Sequence, residues 1–233
     1  MVDKPVLRAA EAAAMVHAGQ TVHVGGFLGC GSPDTVLAAL ERSGAKGLTL
    51  VCNDTSILNE KTGVINGVAP LIKAGVFSKV IVSHIGTNPE TQRQMNDGKL
   101  EVVLVPQGTL AERVRAAGAG LGGILTPTGV GTEVETGKQK LLIGDRAYLL
   151  EEALPGDVAL IKAKKADRAG NLVYSKTARN FNPLMATACK LVIAEVEELV
   201  GIGDIDPDQV HTPNIFVDYI VMADGAQGQG AGR

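Results

Sequence analysis

Tryptophan is absent from this 233-residue chain, and aromatic residues make up only 3% of it. The core must therefore be built from Val, Leu, Ile and Ala. Cysteine is nearly as scarce. Cys30, Cys52 and Cys189 are an odd set without Cys-x-x-Cys spacing, which excludes a disulfide framework and a zinc site. Net charge is −3 and the pI is near 5.8, so no basic surface is available to gather a polyanion. The densest basic stretch, Lys162-Ala163-Lys164-Lys165, reads as a solvated strand end. No stretch approaches the roughly 20 apolar residues of a membrane span. Asp3, Lys4, Arg8 and Glu11 break up the first turns, where a secretion signal would need an apolar run. With unpaired cysteines, this points to a reducing, cytoplasmic setting. No nucleic-acid or membrane partner is expected.

Glycine is abundant at 29 residues, and it clusters. Short apolar runs alternate with helical segments over the first half. Thr21–Val24, Leu48–Cys52, Lys79–Ser83 and Val102–Val105 read as strands. Leu7–Ala18, Thr35–Arg42, Pro70–Ala74, Pro89–Asp97 and the segment from Thr109 to Ala117 read as helices. Ser32 is placed to cap the second helix, with Pro33 at its first position. Buried strands alternating with helices predict an α/β fold with an open, mostly parallel sheet and helices on both faces. The glycine-rich stretch Gly118–Gly137 interrupts the pattern. A hairpin follows over Lys140–Leu150, then further strands at Val158–Ile161, Leu191–Ala194 and Phe216–Val221. One domain over 1–224 is expected, with 225–233 a disordered Gly/Gln-rich tail.

Ligands of open parallel sheets bind at the carboxyl ends of the strands. The segments Gly25–Gly31, Asn53-Asp54, Ser83–Asn88 and Pro106–Thr109 should thus line one crevice. In the first, Gly25, Gly26, Phe27, Leu28, Gly29, Cys30 and Gly31 lead into a helix. Glycines there allow close backbone approach, and N–H groups beside a helix N-terminus hold a phosphate, a carboxylate or a thioester carbonyl. The same residues could simply form a tight turn. The order Gly26-x-x-Gly29-x-Gly31 differs from the dinucleotide fingerprint, although Asp54 stands where a ribose-binding acid would. Gln107 could polarise a carbonyl through its side-chain amide or stabilise its own turn. His84 could act as a base or bond a neighbouring loop. Cys30 could be a nucleophile or a small filler. Glu133 and Glu135 read as a solvated strand edge. No metal set appears, and no nucleophile is tied to a base. The residues amount to half an active site.

Val24-Gly25-Gly26-Phe27-x-x-x-Gly31-x-Pro33 resembles the alpha-subunit signature of class I (3-oxoacid type) CoA transferases. Val105-Pro106-Gln107-Gly108-Thr109-Leu110 is similar to the family's second marker. Ser83–Glu90, Gly118–Gly123, Thr126–Thr132 and Ala178–Pro183 fit as well. The resemblance runs from about residue 5 to residue 222 and is closest to the bacterial acetate/acetoacetate branch. It implies a sugar-phosphate isomerase-like α/β fold and a transfer of CoA from a short-chain acyl-CoA (acetyl-, acetoacetyl- or butyryl-CoA) to a free carboxylate. CoA is then a substrate, and no cofactor is bound permanently. In the family, the glutamate that attacks the thioester lies in a Ser-Glu-Asn-Gly-type motif on a separate beta subunit, and this chain lacks that motif. The resemblance therefore implies a CoA-transferase beta subunit as partner, in an A2B2 heterotetramer. It assigns CoA contact to Gly25–Gly31, the reacting carbonyl to Gln107 and the substrate side of the site to Asn53. A stand-alone nucleotide- or anion-binding protein, or a Rossmann-type NAD oxidoreductase, remain as other readings of the glycine loop.

Overall fold

The computed structural model describes residues 2–228. In chain order its elements are β1 (Val6–Leu7), α1 (Ala9–Ala14), β2 (Thr21–Val24), α2 (Asp34–Ser43), β3 (Leu48–Val51), β4 (Leu58–Asn59), β5 (Val64–Ile65), α3 (Ala69–Lys73), β6 (Phe77–Val82), α4 (Pro89–Asn96), β7 (Glu101–Leu104), α5 (Gln107–Gly118), β8 (Gly123–Thr126), β9 (Lys140–Ile143), β10 (Arg146–Glu152), β11 (Gly156–Asp167), β12 (Leu172–Val173), α6 (Asn182–Thr187), β13 (Cys189–Val200) and β14 (Tyr219–Gly228). The main sheet runs β1-β14-β13-β11-β2-β3-β6-β7, with β12 added beside β11. Every pairing along that path is parallel, and only β12 is antiparallel. This is the expected fold class.

Strand alternation splits the core into two layers. Val22, Val24, Leu48, Leu50, Val158 and Leu160 face a layer that contains α1, α2 and α3. Val51, Ala159, Ile161, Val192 and Ala194 face the opposite layer, with Leu110 and Val114 of α5 and Met185 of α6. Both faces are covered, which is why the strands read as continuous apolar runs rather than alternating ones. α2 stops at Gly44, whose φ of +78° suits a residue without a Cβ.

Several elements differ from the sequence reading. The first helix spans only Ala9–Ala14: Leu7, with Val6, is drawn into the sheet edge against Ile220 and Val221, and at the other end Met15 already forms the C-cap. α2 begins at Asp34, so Pro33 rather than Ser32 holds the N-cap position, and no side chain of its own caps the helix. Gln107 is the first residue of α5 rather than part of a turn. The glycine-rich stretch contains β8, which pairs with β10 in a small antiparallel sheet completed by β9.

β11 and β13 are 12 residues each, far longer than their apolar cores. Their second halves are joined by cross-strand ion pairs, Lys164–Glu197 at 2.8 Å and Lys165–Glu198 at 3.2 Å. The lysine cluster is therefore not a solvated strand end: it lies within β11, which runs on to the buried Ala166 and Asp167, and its lysines are neutralised by the glutamates of β13. The last strand begins at Tyr219 and runs to Gly228, since Phe216 closes a short 3₁₀ turn. Residues 225–228 of the expected tail therefore fall within the last strand, and 229–233 lie outside the described residues.

Candidate active site

From β2 the sheet grows outward through β3, β6 and β7 on one side, and through β11, β13 and β14 on the other. The strand order reverses between β2 and β11. In open parallel sheets the crevice at the carboxyl end of such a reversal is where ligands bind. The glycine loop leaves β2 at that point.

Phe27 and Cys30 exchange backbone hydrogen bonds of 3.0 and 2.9 Å, closing a tight turn over Leu28 (φ +49°) and Gly29 (φ +85°). A leucine held in the left-handed region costs on the order of 1–2 kcal/mol. Two side chains hold it there. Asp54 Oδ2 accepts the Leu28 N–H at 2.9 Å, and Asn66 Nδ2 donates to the Leu28 carbonyl at 3.1 Å. Asn182, fully buried, donates to the carbonyls of Gly31 (3.0 Å) and Ala178 (2.9 Å) and accepts the Lys162 N–H (2.9 Å). A methyl group on Gly25 would overlap the Asn182 amide, so that glycine is required by packing within the chain.

The loop is less open to an anion than its composition suggests. The N–H groups of Gly25, Phe27, Leu28, Cys30 and Ser32 are all bonded internally. Glu195, from the middle of β13, accepts the Val36 N–H in the first turn of α2 at 3.0 Å. The helix end expected to meet a ligand anion is met by the chain's own carboxylate. Burial is the main cause that raises the Glu195 pKa, opposed by the Val36 N–H and by Lys162, whose Nζ lies 3.5 Å away.

The four strand-end segments do come together. Phe27, Leu28, Asn53, Asp54, Ser83, His84 and Gln107 line a cleft of about 410 Å³. Inside it runs a chain of side-chain amides. Gln107 Nε2 donates to Asn53 Oδ1 at 2.7 Å, and Asn53 Nδ2 donates to Asp54 Oδ2 at 2.6 Å. The other Asp54 oxygen accepts the Ser56 N–H at 2.7 Å. Ser83 Oγ donates to the Asn53 carbonyl at 2.7 Å. Asn53 and Asp54 are buried, whereas Gln107 is exposed to the cleft mouth. Gln107, Asn53, Phe27 and Leu28 thus share one site. Gly25, Gly26, Gly29, Cys30 and Gly31 lie behind its wall and shape it.

Other side chains considered for chemistry fall elsewhere or lack partners. Cys30 Sγ sits 3.2 Å from Thr177 Oγ1, outside the cleft lining. His84 lines the cleft and packs over Gly86. Glu135 accepts the Gly131 N–H at 2.7 Å and pairs with Lys140, and neither it nor Glu133 reaches the cleft. Among the described residues no cluster of His, Cys, Asp or Glu could hold a metal ion. Among them, too, Asp54 is the one carboxylate lining the cleft, and both its oxygens are engaged. The site can orient and polarise a carbonyl, but it offers no free carboxylate as nucleophile. Sequence reasoning placed Ser83 in the crevice but missed Asn66, Glu195 and the anchoring role of Asn182. Of these, Asn182 lies in a recognisable motif, Ala178–Pro183, and Asn66 sits in an irregular stretch with no signal.

The profile of the coenzyme A transferase family matches residues 6–223. The chain is 51% identical over 205 residues to the acetate CoA-transferase subunit alpha of Escherichia coli strain K12, covering 88% of this chain and 90% of that one. It is 46% identical over 203 residues to the acetoacetyl-CoA:acetate/butyrate CoA transferase alpha subunit of Clostridium acetobutylicum, covering 87% of this chain and 90% of that one. Its fold is similar, with a TM-score of 0.86 and 23% identity, to an acyl-CoA transferase from Escherichia coli O157:H7 solved as a thioester complex with CoA. That likeness covers 97% of this chain and 50% of the other, so this chain spans half the length of that transferase.

Proposed function

The chain belongs to the coenzyme A transferase family, and from that premise we propose that it is the alpha subunit of a two-subunit enzyme moving CoA between a short-chain acyl-CoA and a free carboxylate. Acetyl-CoA, acetoacetyl-CoA or butyryl-CoA is the donor, and acetate or acetoacetate the acceptor. The observation that carries this reading is a cleft lined by the Gln107 amide with, among the described residues, no free carboxylate. A glutamate of the partner beta subunit supplies the nucleophile.

In the first step that glutamate attacks the thioester carbonyl carbon. The C–S bond breaks, and CoA leaves as thiolate while an acyl-glutamyl anhydride forms. The thiolate then attacks the glutamyl carbonyl, releasing the free acid and leaving a glutamyl-CoA thioester. The acceptor carboxylate reverses the sequence. Each attack places negative charge on a carbonyl oxygen. Gln107, donating one N–H to Asn53, keeps its second N–H for that oxygen, and Asn53 holds the substrate side of the site. Phe27 and Leu28 wall the cleft on the side of the glycine loop, where the pantetheine arm passes. CoA is consumed and regenerated as a substrate, with no permanent cofactor. A cytoplasmic A2B2 assembly of two alpha and two beta subunits fits these roles.

The test is CoA exchange between acetoacetyl-CoA and acetate, measured with this chain alone and with its beta subunit. Activity confined to the mixture supports the reading. Full activity of the isolated chain would overturn it, because the nucleophile would then have to lie in this polypeptide.

A further inference from the structure

We infer that Asp54 is a positioning residue for the transfer, fixing at once the backbone of the glycine loop and the direction in which Gln107 points its donor; the inference rests on the proposed reading of the cleft. The Asp54 carboxylate meets three N–H groups. Leu28 N–H and Asn53 Nδ2 reach Oδ2 at 2.9 and 2.6 Å, and Ser56 N–H reaches Oδ1 at 2.7 Å. A carboxylate in that position only accepts. Asn53 must therefore turn its Nδ2 toward Asp54, which leaves its Oδ1 facing Gln107. Gln107 must answer with Nε2. Its remaining N–H is then available to a carbonyl oxygen.

If the chain ran the other way, the Gln107 atom beside Asn53 would be Oε1, and a carbonyl oxygen lying along the present second N–H of Nε2 would meet an acceptor as negative charge develops. A side-chain amide alone has no preferred direction, since its oxygen and nitrogen are nearly the same size. The direction comes from the buried acceptor at the far end of the chain, 4% exposed. Through Leu28 N–H the same group holds the left-handed turn that brings Phe27 and Leu28 to the cleft wall. One residue thus couples the loop that meets CoA to the amide that meets the acyl carbonyl.

A mere turn-forming aspartate would need only the Ser56 contact. The two roles separate in the kinetics of the assembled enzyme with acetoacetyl-CoA and acetate. The wild-type two-subunit complex serves as the reference, and if it is inactive the reading of the cleft fails and this inference with it. Given an active wild type, Asp54→Asn is expected to lower kcat by roughly 10- to 100-fold, short of the roughly 100- to 1,000-fold cost of deleting an oxyanion donor. The KM for acetoacetyl-CoA should change less than kcat. In a Gln107→Ala background the same substitution should lower kcat by no more than about threefold, because the amide is already missing and only the Leu28 contact to the glycine loop is left to lose. An unchanged kcat in Asp54→Asn, or an equal loss with and without Gln107, would overturn the assignment. If Asp54→Asn fails to fold, Asn53→Ala decides instead. It cuts the link to Gln107 while leaving the bonds from Leu28 and Ser56 to Asp54 in place. A kcat loss that disappears in the Gln107→Ala background supports the assignment, and an unchanged kcat sinks it.

Discussion

The carboxylate of Glu195 caps the backbone of Val36, 159 residues earlier in the chain, with a hydrogen bond of 3.0 Å. Val36 is the third residue of α2, and Pro33 at its N-cap position has no side-chain acceptor to offer. A strand residue from the far half of the sheet thus does the work of a local cap. Glu195→Ala should lower stability by about 1–3 kcal/mol, the loss of a cap plus a buried unpaired N–H. Glu195→Gln keeps an acceptor and should lose less than half of that. Burial raises the Glu195 pKa in the fold, so its contribution is greatest at low pH and declines as pH rises through the folded pKa. The Gln variant does not titrate and should gain on the wild type across that rise. Urea unfolding at several pH values checks both statements.

Gly25 and Asn182 occupy the same space as far as a side chain is concerned. Gly25→Ala should destabilise the chain by roughly 2–4 kcal/mol through overpacking. Asn182→Ala alone should also destabilise, because it removes three hydrogen bonds, to Gly31 of the loop, to Lys162 of β11 and to Ala178 in the turn before α6. The double variant should be far less unstable than the sum, with a coupling of about 1–3 kcal/mol in a double-mutant cycle. Additive losses would mean that the overlap is relieved by backbone movement.

Gln107→Ala should reduce kcat of the two-subunit enzyme by about 100- to 1,000-fold, the usual effect of removing one donor to a developing oxyanion. The side chain is exposed, so melting temperature and subunit assembly should stay near wild type. Steady-state kinetics and size-exclusion chromatography of the purified complex measure the two sides of this statement.

His23 lies fully buried on β2 with neither ring nitrogen hydrogen-bonded. Burial pushes its pKa down to about 4. The unfolded chain takes up a proton near pH 6.5 while the folded one resists until about pH 4. Stability from this group is therefore complete above about pH 6.5 and falls as the solution is acidified toward pH 4, by about 3 kcal/mol at most. His23→Phe should flatten that limb of the stability–pH curve. Glu195 titrates with the opposite sign, so the informative quantity is the difference between wild type and variant at each pH.

Much of this was legible in the chain itself. β2, β3 and β6 announce themselves as apolar runs because both faces of each are covered; β7 reads as one too, although it is the edge strand and leaves Leu104 exposed, and the ends of all four foretell the segments that meet in the cleft. Gln107 and Asn53 stand just past strand ends, which marks them in the sequence as residues of the crevice. Distances in sequence hid the rest. Nothing near Val36 suggests that its N–H is met from β13, and nothing near Leu28 suggests that Asn66 will hold its carbonyl. The charged halves of β11 and β13 carry no apolar run to extend the strands beyond Ile161 and Ala194, and only side by side do they neutralise one another. Leu7 reads as the start of a helix because the strand partner of Val6 and Leu7 lies near the other end of the chain.

That last pairing has a bearing on synthesis. Val6 and Leu7 lie against Ile220 and Val221, so the outer edge of the sheet cannot be laid until about two hundred further residues have left the ribosome. At roughly 5–20 residues per second this is a wait of roughly 10–40 s. The block from β2 to β7 is contiguous and can assemble during that time, but β2 keeps one side unpaired until β11 arrives. A nascent chain in this interval carries an open strand edge beside a finished half-sheet, the moment at which a chaperone would have most to shield.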